Sequence, residues 1–64
     1  MQQIIRDWHR NPRRGVYVYA GAILVGNIRI TRDGWQVTDP DRDWHPVAGD
    51  YLAAETRLFE LNPH

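Results

Sequence analysis

The chain contains no cysteine, no serine and no lysine. Without cysteine there can be no disulfide, so the covalent staple of many small secreted domains is excluded and a reducing, cytoplasmic location is favoured. Without cysteine or serine, threonine is the one side-chain hydroxyl besides tyrosine, and none of the three threonines lies near a histidine in the sequence. A nucleophile paired with a base is therefore hard to build, and we expect no enzymatic activity.

The sequence also lacks a long uninterrupted apolar run. Its longest mostly apolar stretch, residues 16–30, is broken by two glycines, an asparagine and an arginine, and no basic start followed by an apolar core opens the chain. We expect neither a membrane-spanning helix nor a signal peptide. At 64 residues the chain has room for a single domain over 1–64, near the lower size limit for a fold held by its hydrophobic core.

The net charge is zero, but the two signs are separated along the chain. Residues 1–32 carry six arginines and one aspartate, a net charge of +5, whereas residues 33–64 carry two arginines and seven acids, a net charge of −5. The one basic cluster, at Arg10, Arg13 and Arg14, surrounds an Asn-Pro turn. Arg13 and Arg14 are therefore candidates for contacts with a charged partner.

Residues 26–39 predict a β-hairpin whose two-residue loop is Asp33-Gly34. An Asp-Gly pair between alternating apolar and polar residues favours a type I′ turn, which needs positive φ at both positions. This loop pairs Ile30 with Val37. It places the four apolar residues of the hairpin on one face: Ile28, Ile30, Trp35 and Val37.

A preceding strand over residues 16–20 is rich in β-branched and aromatic residues and joins the hairpin through a tight turn over residues 20–22. With a two-residue turn, Leu24 pairs with Tyr17 or Tyr19, and both tyrosines join the apolar face of the hairpin. A three-residue turn would reverse that assignment. Gly26, inside the next strand, predicts a bulge or the close approach of another side chain.

The C-terminal part predicts a helix over residues 50–61, counted from its N-cap Asp50. Its apolar positions follow helical spacing: Tyr51, Ala54, Leu58 and Leu61. Residues 44–47 could add a short edge strand, which Pro46 limits. Residues 1–14 form either a short helix, suggested by the spacing of Ile4, Ile5 and Trp8, or a docked irregular arm, and for residues 1–11 a strand also stays open.

The predicted fold is therefore α+β: a three- to four-stranded antiparallel β-meander over residues 15–47 with a C-terminal α-helix packed on one face. We expect the helix to cover the face that holds the following residues: Tyr17, Tyr19, Ile28, Ile30 and Trp35. The opposite face then contains an apolar set: Val16, Val18, Ile23 and Val25. Either the N-terminal arm covers this set, or it is an exposed patch that forms an interface such as that of a homodimer.

Residues 39–50 have the acid spacing of a calcium loop but lack its context. Trp44 stands where the sharp-turn glycine is required, and no helix enters the loop. The three histidines lack the spacing of a metal site. We therefore expect no metal and no cofactor. Instead, Asp39, Asp41 and Asp43, with the adjacent Trp44, are candidates for binding a protein, because a ridge of carboxylates can occupy a groove built for phosphates.

The order of segments carries a resemblance: Gly-Val-Tyr-Val-Tyr, then Val-Gly-Asn-Ile, then Asp-Gly-Trp-Gln-Val-Thr-Asp, then a short segment at Trp44 and a helix. This order is similar to that of small proteins of bacterial phages and mobile elements, a group that includes anti-CRISPR proteins. The resemblance implies a cytoplasmic, non-enzymatic inhibitor that binds a host nucleoprotein complex such as CRISPR-Cas. It implies no individual site residue.

The expected function is thus that of a protein-binding module, with a phage-type inhibitor as its most concrete form. The alternative is a nucleic-acid-binding accessory protein that uses the Arg-rich N-terminal half. In that case, Trp8 and His9 supply stacking surfaces beside the arginine cluster, and Arg29 and Thr31 project from a sheet face. The zero net charge argues against this alternative, because phosphate contacts supply most of the affinity for nucleic acid.

Overall fold

The structure, a computed structural model, describes residues 3–9 and 15–63. Five strands form one antiparallel sheet in chain order, and a C-terminal helix packs on one face. The elements are β1 (Ile4–Trp8), β2 (Val16–Ala20), β3 (Ile23–Thr31), β4 (Gly34–Thr38), β5 (Trp44–Val47) and α1 (Tyr51–Leu61). The α+β meander with a C-terminal helix is confirmed, and the sheet has five strands instead of three or four.

The additional strand is β1, where neither the short helix nor the irregular arm is found. Ile4 and Trp8 are four residues apart, a spacing that brings side chains together on a helix but also places them on one face of a strand. The free edge of β2 offers backbone partners along all five residues, and β1 pairs with it antiparallel. Ile5 consequently points to the opposite face of the sheet.

The β3–β4 hairpin forms, but its loop residues are Arg32 and Asp33. Neither has a positive φ, which falls on Gly34 (117°), so the turn is not type I′. The Thr31 hydroxyl accepts a hydrogen bond from the Asp33 N–H (3.2 Å) and donates one to the Gly34 carbonyl (3.0 Å). Relative to the prediction, the pairing shifts by two residues. An even shift keeps the faces, so the predicted apolar set shares one side: Ile28, Ile30, Trp35 and Val37.

A β-bulge between β2 and β3 overturns the predicted faces of β2. The turn before β3 has two residues and Tyr19 pairs with Leu24, as one of the predicted registers requires. The next pair, however, is Val18 with Gly26, which leaves Val25 as an extra residue on β3. Because side chains alternate along a strand, one extra residue on β3 exchanges the two faces for all pairs of β2 and β3 beyond the bulge.

The helix therefore covers the valines and not the tyrosines. Val16 and Val18 are fully buried beside Ile28, whereas Tyr17 and Tyr19 point to the other side of the sheet. The core consists of eight buried apolar residues: Val16, Val18, Ala20, Val25, Ile28, Val37, Ala54 and Leu58. The prediction of an exposed apolar set is wrong for its three valines, Val16, Val18 and Val25, which are buried. Ile23 is exposed, but it pairs with the buried Ala20, and its part in an interface stays a prediction.

Both predictions made for Gly26 are confirmed. The bulge lies at this residue, and a β-carbon here would lie 2.7 Å from Thr38 Oγ1 and 2.8 Å from Leu58 Cδ1. Any side chain would collide with the buried contact between the helix and the sheet. Glycine is thus the residue that lets α1 lie close to the bulge.

The helix has the predicted bounds, Tyr51–Leu61, and the predicted N-cap. The Asp50 carboxylate accepts a hydrogen bond from the Ala53 N–H at 3.0 Å. At the other end, the Asn62 side-chain amide donates to the Thr38 and Leu58 carbonyls at 2.8 and 2.7 Å. These bonds tie the last turn of the helix to the end of β4. No helix among the described residues is long and apolar enough to cross a membrane.

Candidate functional site

The sheet face opposite α1 carries aromatic and hydrogen-bonding side chains. We call it the open face and define it by six half-buried residues: Tyr17, Tyr19, Asn27, Arg29, Gln36 and Trp44. The tyrosines alternate with buried core residues on β2, Arg29 follows the buried Ile28 on β3, and Gln36 precedes the buried Val37 on β4. Strand periodicity therefore turns these side chains away from the helix.

Arg29 lies near the middle of the open face in a fixed position. Its guanidinium carbon lies 3.9 Å from the centre of the Trp44 ring, and its Nε donates a hydrogen bond to Gln36 Oε1 at 2.9 Å. Stacking on an indole and a side-chain hydrogen bond both restrict the planar group. Its terminal nitrogens make no hydrogen bond within the described part of the chain. They therefore form a pre-oriented donor pair for a planar anion such as a carboxylate.

At the other side of the open face, His9 stacks on Tyr17. The ring centres are 6.2 Å apart and the planes are inclined by 23°. The His9 N–H donates to the Gly15 carbonyl at 3.0 Å and closes the ends of segment 10–14. Arg13 and Arg14, predicted to contact a partner, belong to this segment and lie outside the described residues.

Asp39 organises the acidic turn that precedes β5. Its Oδ1 accepts hydrogen bonds from the backbone N–H groups of Asp41 (2.9 Å) and Asp43 (3.0 Å), and its Oδ2 lies 2.6 Å from His45 Nε2. The contact with His45, followed by the bonds from Asp43 and Asp41, holds the pKa of Asp39 below its usual value. Both carboxylate oxygens of Asp39 are therefore engaged within the turn and β5. The side chains of Asp41 and Asp43, which precede Trp44 in the chain, are exposed.

The predicted site residues thus separate into different places. Trp44 belongs to the open face, Asp41 and Asp43 lie in the turn that precedes it, and the valines lie in the core. Sequence reasoning placed Tyr17 and Tyr19 under the helix and missed their part in the site. The signal that could have found them was Gly26, because its bulge exchanges the faces of β2.

On the helix side, an ion pair joins β1 to α1. Arg6 donates through Nε to Glu55 Oε2 at 2.9 Å and through Nη2 to Oε1, which gives a bidentate contact. The Tyr51 hydroxyl is buried beside this pair, and no described residue meets it in hydrogen-bond geometry. Burial, with the Glu55 carboxylate nearby, raises the pKa of Tyr51 to about 12, and the hydrogen bonds from Arg6 lower the pKa of Glu55.

This ion pair predicts an acid-sensitive contribution to stability. Because the pKa of Glu55 is lower in the folded than in the unfolded state, the contribution is complete above the unfolded value of about 4.3 and is lost as pH falls through the folded value. Glu55→Gln should lower the unfolding free energy by about 1–2 kcal/mol at neutral pH. This is less than the cost of breaking a fully buried ion pair, because the Arg6 side chain is 42% exposed to solvent.

Urea unfolding from pH 7 to pH 2, followed by circular dichroism, measures this effect. The difference between wild type and Glu55→Gln should shrink as pH falls below about 4. Glu60→Gln, on the same helix but 3.9 Å from its Arg57 partner, is the control and should change stability by less than about 0.5 kcal/mol. A pH-independent difference for Glu55→Gln would contradict the ion-pair explanation.

The described surface offers little space for a small molecule. Two recesses have volumes of about 190 and 230 Å³, below the ~300–1,000 Å³ that typical ligand pockets occupy. No group of three or more acidic, histidine or cysteine side chains among the described residues is arranged to hold a metal ion. The open face is therefore the feature on which a function can be argued.

Comparisons with known proteins found no matching family model, no matching curated protein and no similar solved structure. The function is therefore argued from the geometry of the open face.

Proposed function

We propose that this protein is a non-enzymatic module that binds a protein partner on its open face. The observation that carries the proposal is the Arg29 guanidinium, which stacks on Trp44 and donates from Nε to Gln36, while its terminal nitrogens make no hydrogen bond to a described residue. Tyrosine, tryptophan and arginine are the residue types that dominate binding energy at protein interfaces. Here they lie together on a sheet face that no described element covers.

The position of Arg29 suggests the chemistry of the partner. A side-chain carboxylate would receive two parallel hydrogen bonds from the fixed guanidinium, and an apolar group next to it would lie against Trp44. Gln36, the cross-strand neighbour of Arg29, and Asn27, two residues before Arg29 on β3, supply further hydrogen-bonding groups. We therefore expect the partner to present a segment in which an acidic residue neighbours an apolar one.

Charge favours a protein over a nucleic acid. Asp7 lies opposite Tyr17 on β1, and Asp41 and Asp43 stand exposed beside Trp44. These acids disfavour a polyanion, whose many phosphates must pass along the face, more than a single carboxylate that pairs with Arg29. The second candidate, a single-stranded nucleic acid, is favoured by the ring stack of His9 on Tyr17, since bases stack on such platforms.

The narrower role of a phage-type inhibitor of a CRISPR-Cas complex stays a prediction from the resemblance. What supports it is that a small, rigid, aromatic surface suits the occupation of a site on another protein. The exposed carboxylates of Asp41 and Asp43 would then lie at the rim of the contact. They can meet basic groups of a site that normally holds phosphate.

Selection of a random peptide display library against the protein tests the proposal. Enriched peptides should pair an acidic residue with an apolar one. Loss of a charge-assisted contact costs about 1.5–3 kcal/mol, so Arg29→Ala should weaken the binding of the selected peptides roughly 10- to 100-fold by calorimetry. Arg57→Ala, an exposed arginine on the helix side, is the matched control and should leave the affinity unchanged.

Two outcomes would contradict the proposal. Peptides that bind Arg29→Ala as tightly as wild type would remove the open face from the site. Strong, salt-dependent retention on a single-stranded DNA column, lost when Arg10, Arg13 and Arg14 are changed to alanine, would instead establish the nucleic-acid alternative.

A further inference from the structure

The outer edge of β1 presents backbone groups that no described strand pairs with. The hydrogen bonds from His9 N–H to the Gly15 carbonyl (3.0 Å) and from Gly21 N–H to the Gln3 carbonyl (2.8 Å) set the phase of the β1–β2 ladder. In an antiparallel pair the bonded residues alternate, so the odd-numbered residues of β1 bond to β2. The N–H and carbonyl groups of the even-numbered residues point outward: Ile4, Arg6 and Trp8.

The two edges of the sheet differ in protection. β5 has four residues and contains Pro46, which cannot donate to a further strand. β1 has five residues and contains neither proline nor a bulge; of its two charged residues, Arg6 is bound by Glu55, which leaves Asp7 as the one unneutralised charge on the strand. It also exposes large apolar side chains, since Trp8 is 62% and Ile5 is 44% exposed. An edge of this kind is a template for a further strand.

We propose that the outer edge of β1 pairs antiparallel with β1 of a second copy of this chain, about a two-fold axis at Arg6. This register sets Ile4 against Trp8 of the second copy and satisfies the outward N–H and carbonyl groups of all three even-numbered residues. The apolar side chains of Ile4 and Trp8 then lie opposite each other on the helix side of the joined sheet. This self-complementarity is what identifies the occupant as a second copy.

The register places Arg6 opposite Arg6 of the second copy, and Glu55 makes this pairing acceptable. In each chain the Arg6 guanidinium is already bound by the Glu55 carboxylate in bidentate geometry. The like charges that face each other across the axis are therefore neutralised from both sides. The ion pair that joins β1 to α1 thus reduces the charge repulsion that would oppose this pairing.

This pairing goes beyond the proposed function and is independent of it. β1 is at one edge of the sheet, whereas Arg29 is on β3 and Trp44 is on β5 at the other edge. Joining two sheets at β1 would place both helices on one side and make the two open faces continuous. A dimer would then present two copies of the Arg29 site to a partner.

Sedimentation velocity over micromolar to millimolar concentrations tests the pairing. We expect wild type to shift from monomer to dimer, and Ile4→Pro to weaken the dimer at least tenfold, because proline removes an outward N–H without touching the ladder to β2. Ile4→Ala is the matched control, since it loses the side-chain packing and keeps the N–H. A wild type that stays monomeric throughout, or an equal effect of the two variants, would overturn the proposal.

Amide hydrogen exchange provides a second measurement on the unmodified chain. Protection of the Ile4, Arg6 and Trp8 amides should rise with protein concentration, whereas protection of the Ile5 and Asp7 amides should be high throughout. If the three outward amides exchange freely at concentrations where a dimer is present, the dimer uses another surface and the edge pairing is wrong.

Discussion

Gly15→Ala is expected to cost about 3 kcal/mol or more of unfolding free energy, enough to unfold much of a domain this small. Gly15 has φ of 69°, and a β-carbon there would lie 1.9 Å from the Ile28 carbonyl oxygen and 2.8 Å from its carbon. The obstacle is backbone in the middle of β3, which cannot move without breaking the sheet. Steric overlap of about 1–3 kcal/mol therefore adds to the conformational penalty of about 1–2 kcal/mol.

Gly34→Ala separates these two contributions. Gly34 also has a positive φ, 117°, but no atom lies within 4 Å of the position of its β-carbon. We expect this variant to lose only the conformational part, about 1–2 kcal/mol. Urea unfolding followed by tryptophan fluorescence measures both variants. Equal losses of unfolding free energy in the two variants would contradict the close approach of Gly15, the residue before β2, to the Ile28 carbonyl on β3.

The second large effect is expected for Leu58→Ala. Leu58 is fully buried, belongs to the core and lies against the Gly26 bulge. Removal of a buried leucine side chain leaves a cavity as well as losing apolar contacts, and costs about 2–5 kcal/mol. Since Thr38 and Gly26 are held by the sheet and cannot close the space, we expect a value near the middle of this range, about 3 kcal/mol.

Leu52→Ala on the same helix is the matched control for Leu58→Ala. Leu52 is 71% exposed, so its truncation should change the unfolding free energy by less than about 0.5 kcal/mol. Both variants keep the helix propensity of the chain nearly constant, because alanine and leucine are similar helix formers. If Leu52→Ala costs as much as Leu58→Ala, the helix packs with a different face.

Local signals were sufficient for most elements of this fold. The N-cap at Asp50 and the apolar spacing of α1 predicted a helix with the observed bounds, because both act within a few residues. The β3–β4 hairpin was predicted with the wrong loop but the right faces. The strand pairing is shifted by two residues from the predicted register, and the Thr31 hydroxyl makes two hydrogen bonds in the observed loop. The preference of Asp-Gly pairs for type I′ turns does not take such side-chain hydrogen bonds into account.

The assignment of faces failed at Gly26, for a physical reason. Gly26 indicated a bulge, but the consequence of a bulge depends on which neighbouring residue becomes the extra one. Val25 takes that position and is buried, so the periodicity of β3 breaks between Leu24 and Gly26. Every side-chain assignment for β2 reversed with it, and the tyrosines moved from the expected core to the open face.

The candidate site could be predicted only in part. Trp44 was identified from its place after the acidic turn, but its role there is to stack with Arg29, fifteen positions earlier in the chain. This contact depends on β4 lying between β3 and β5, which no local pattern encodes. Asp39 was expected to face a partner, and its hydrogen bonds to the turn became evident only from the three-dimensional arrangement.

The arrangement on which the fold and the candidate site depend is that the bulge at Gly26 puts Val16 and Val18 under the helix and leaves Tyr17 and Tyr19 on the open face. Nuclear magnetic resonance with a soluble gadolinium chelate tests it directly, because the chelate broadens signals of groups that solvent reaches. We predict strong attenuation of the ring signals of both tyrosines and little attenuation of the methyl signals of both valines. Attenuated valine methyls with protected tyrosine rings would contradict the fold and the site built on it.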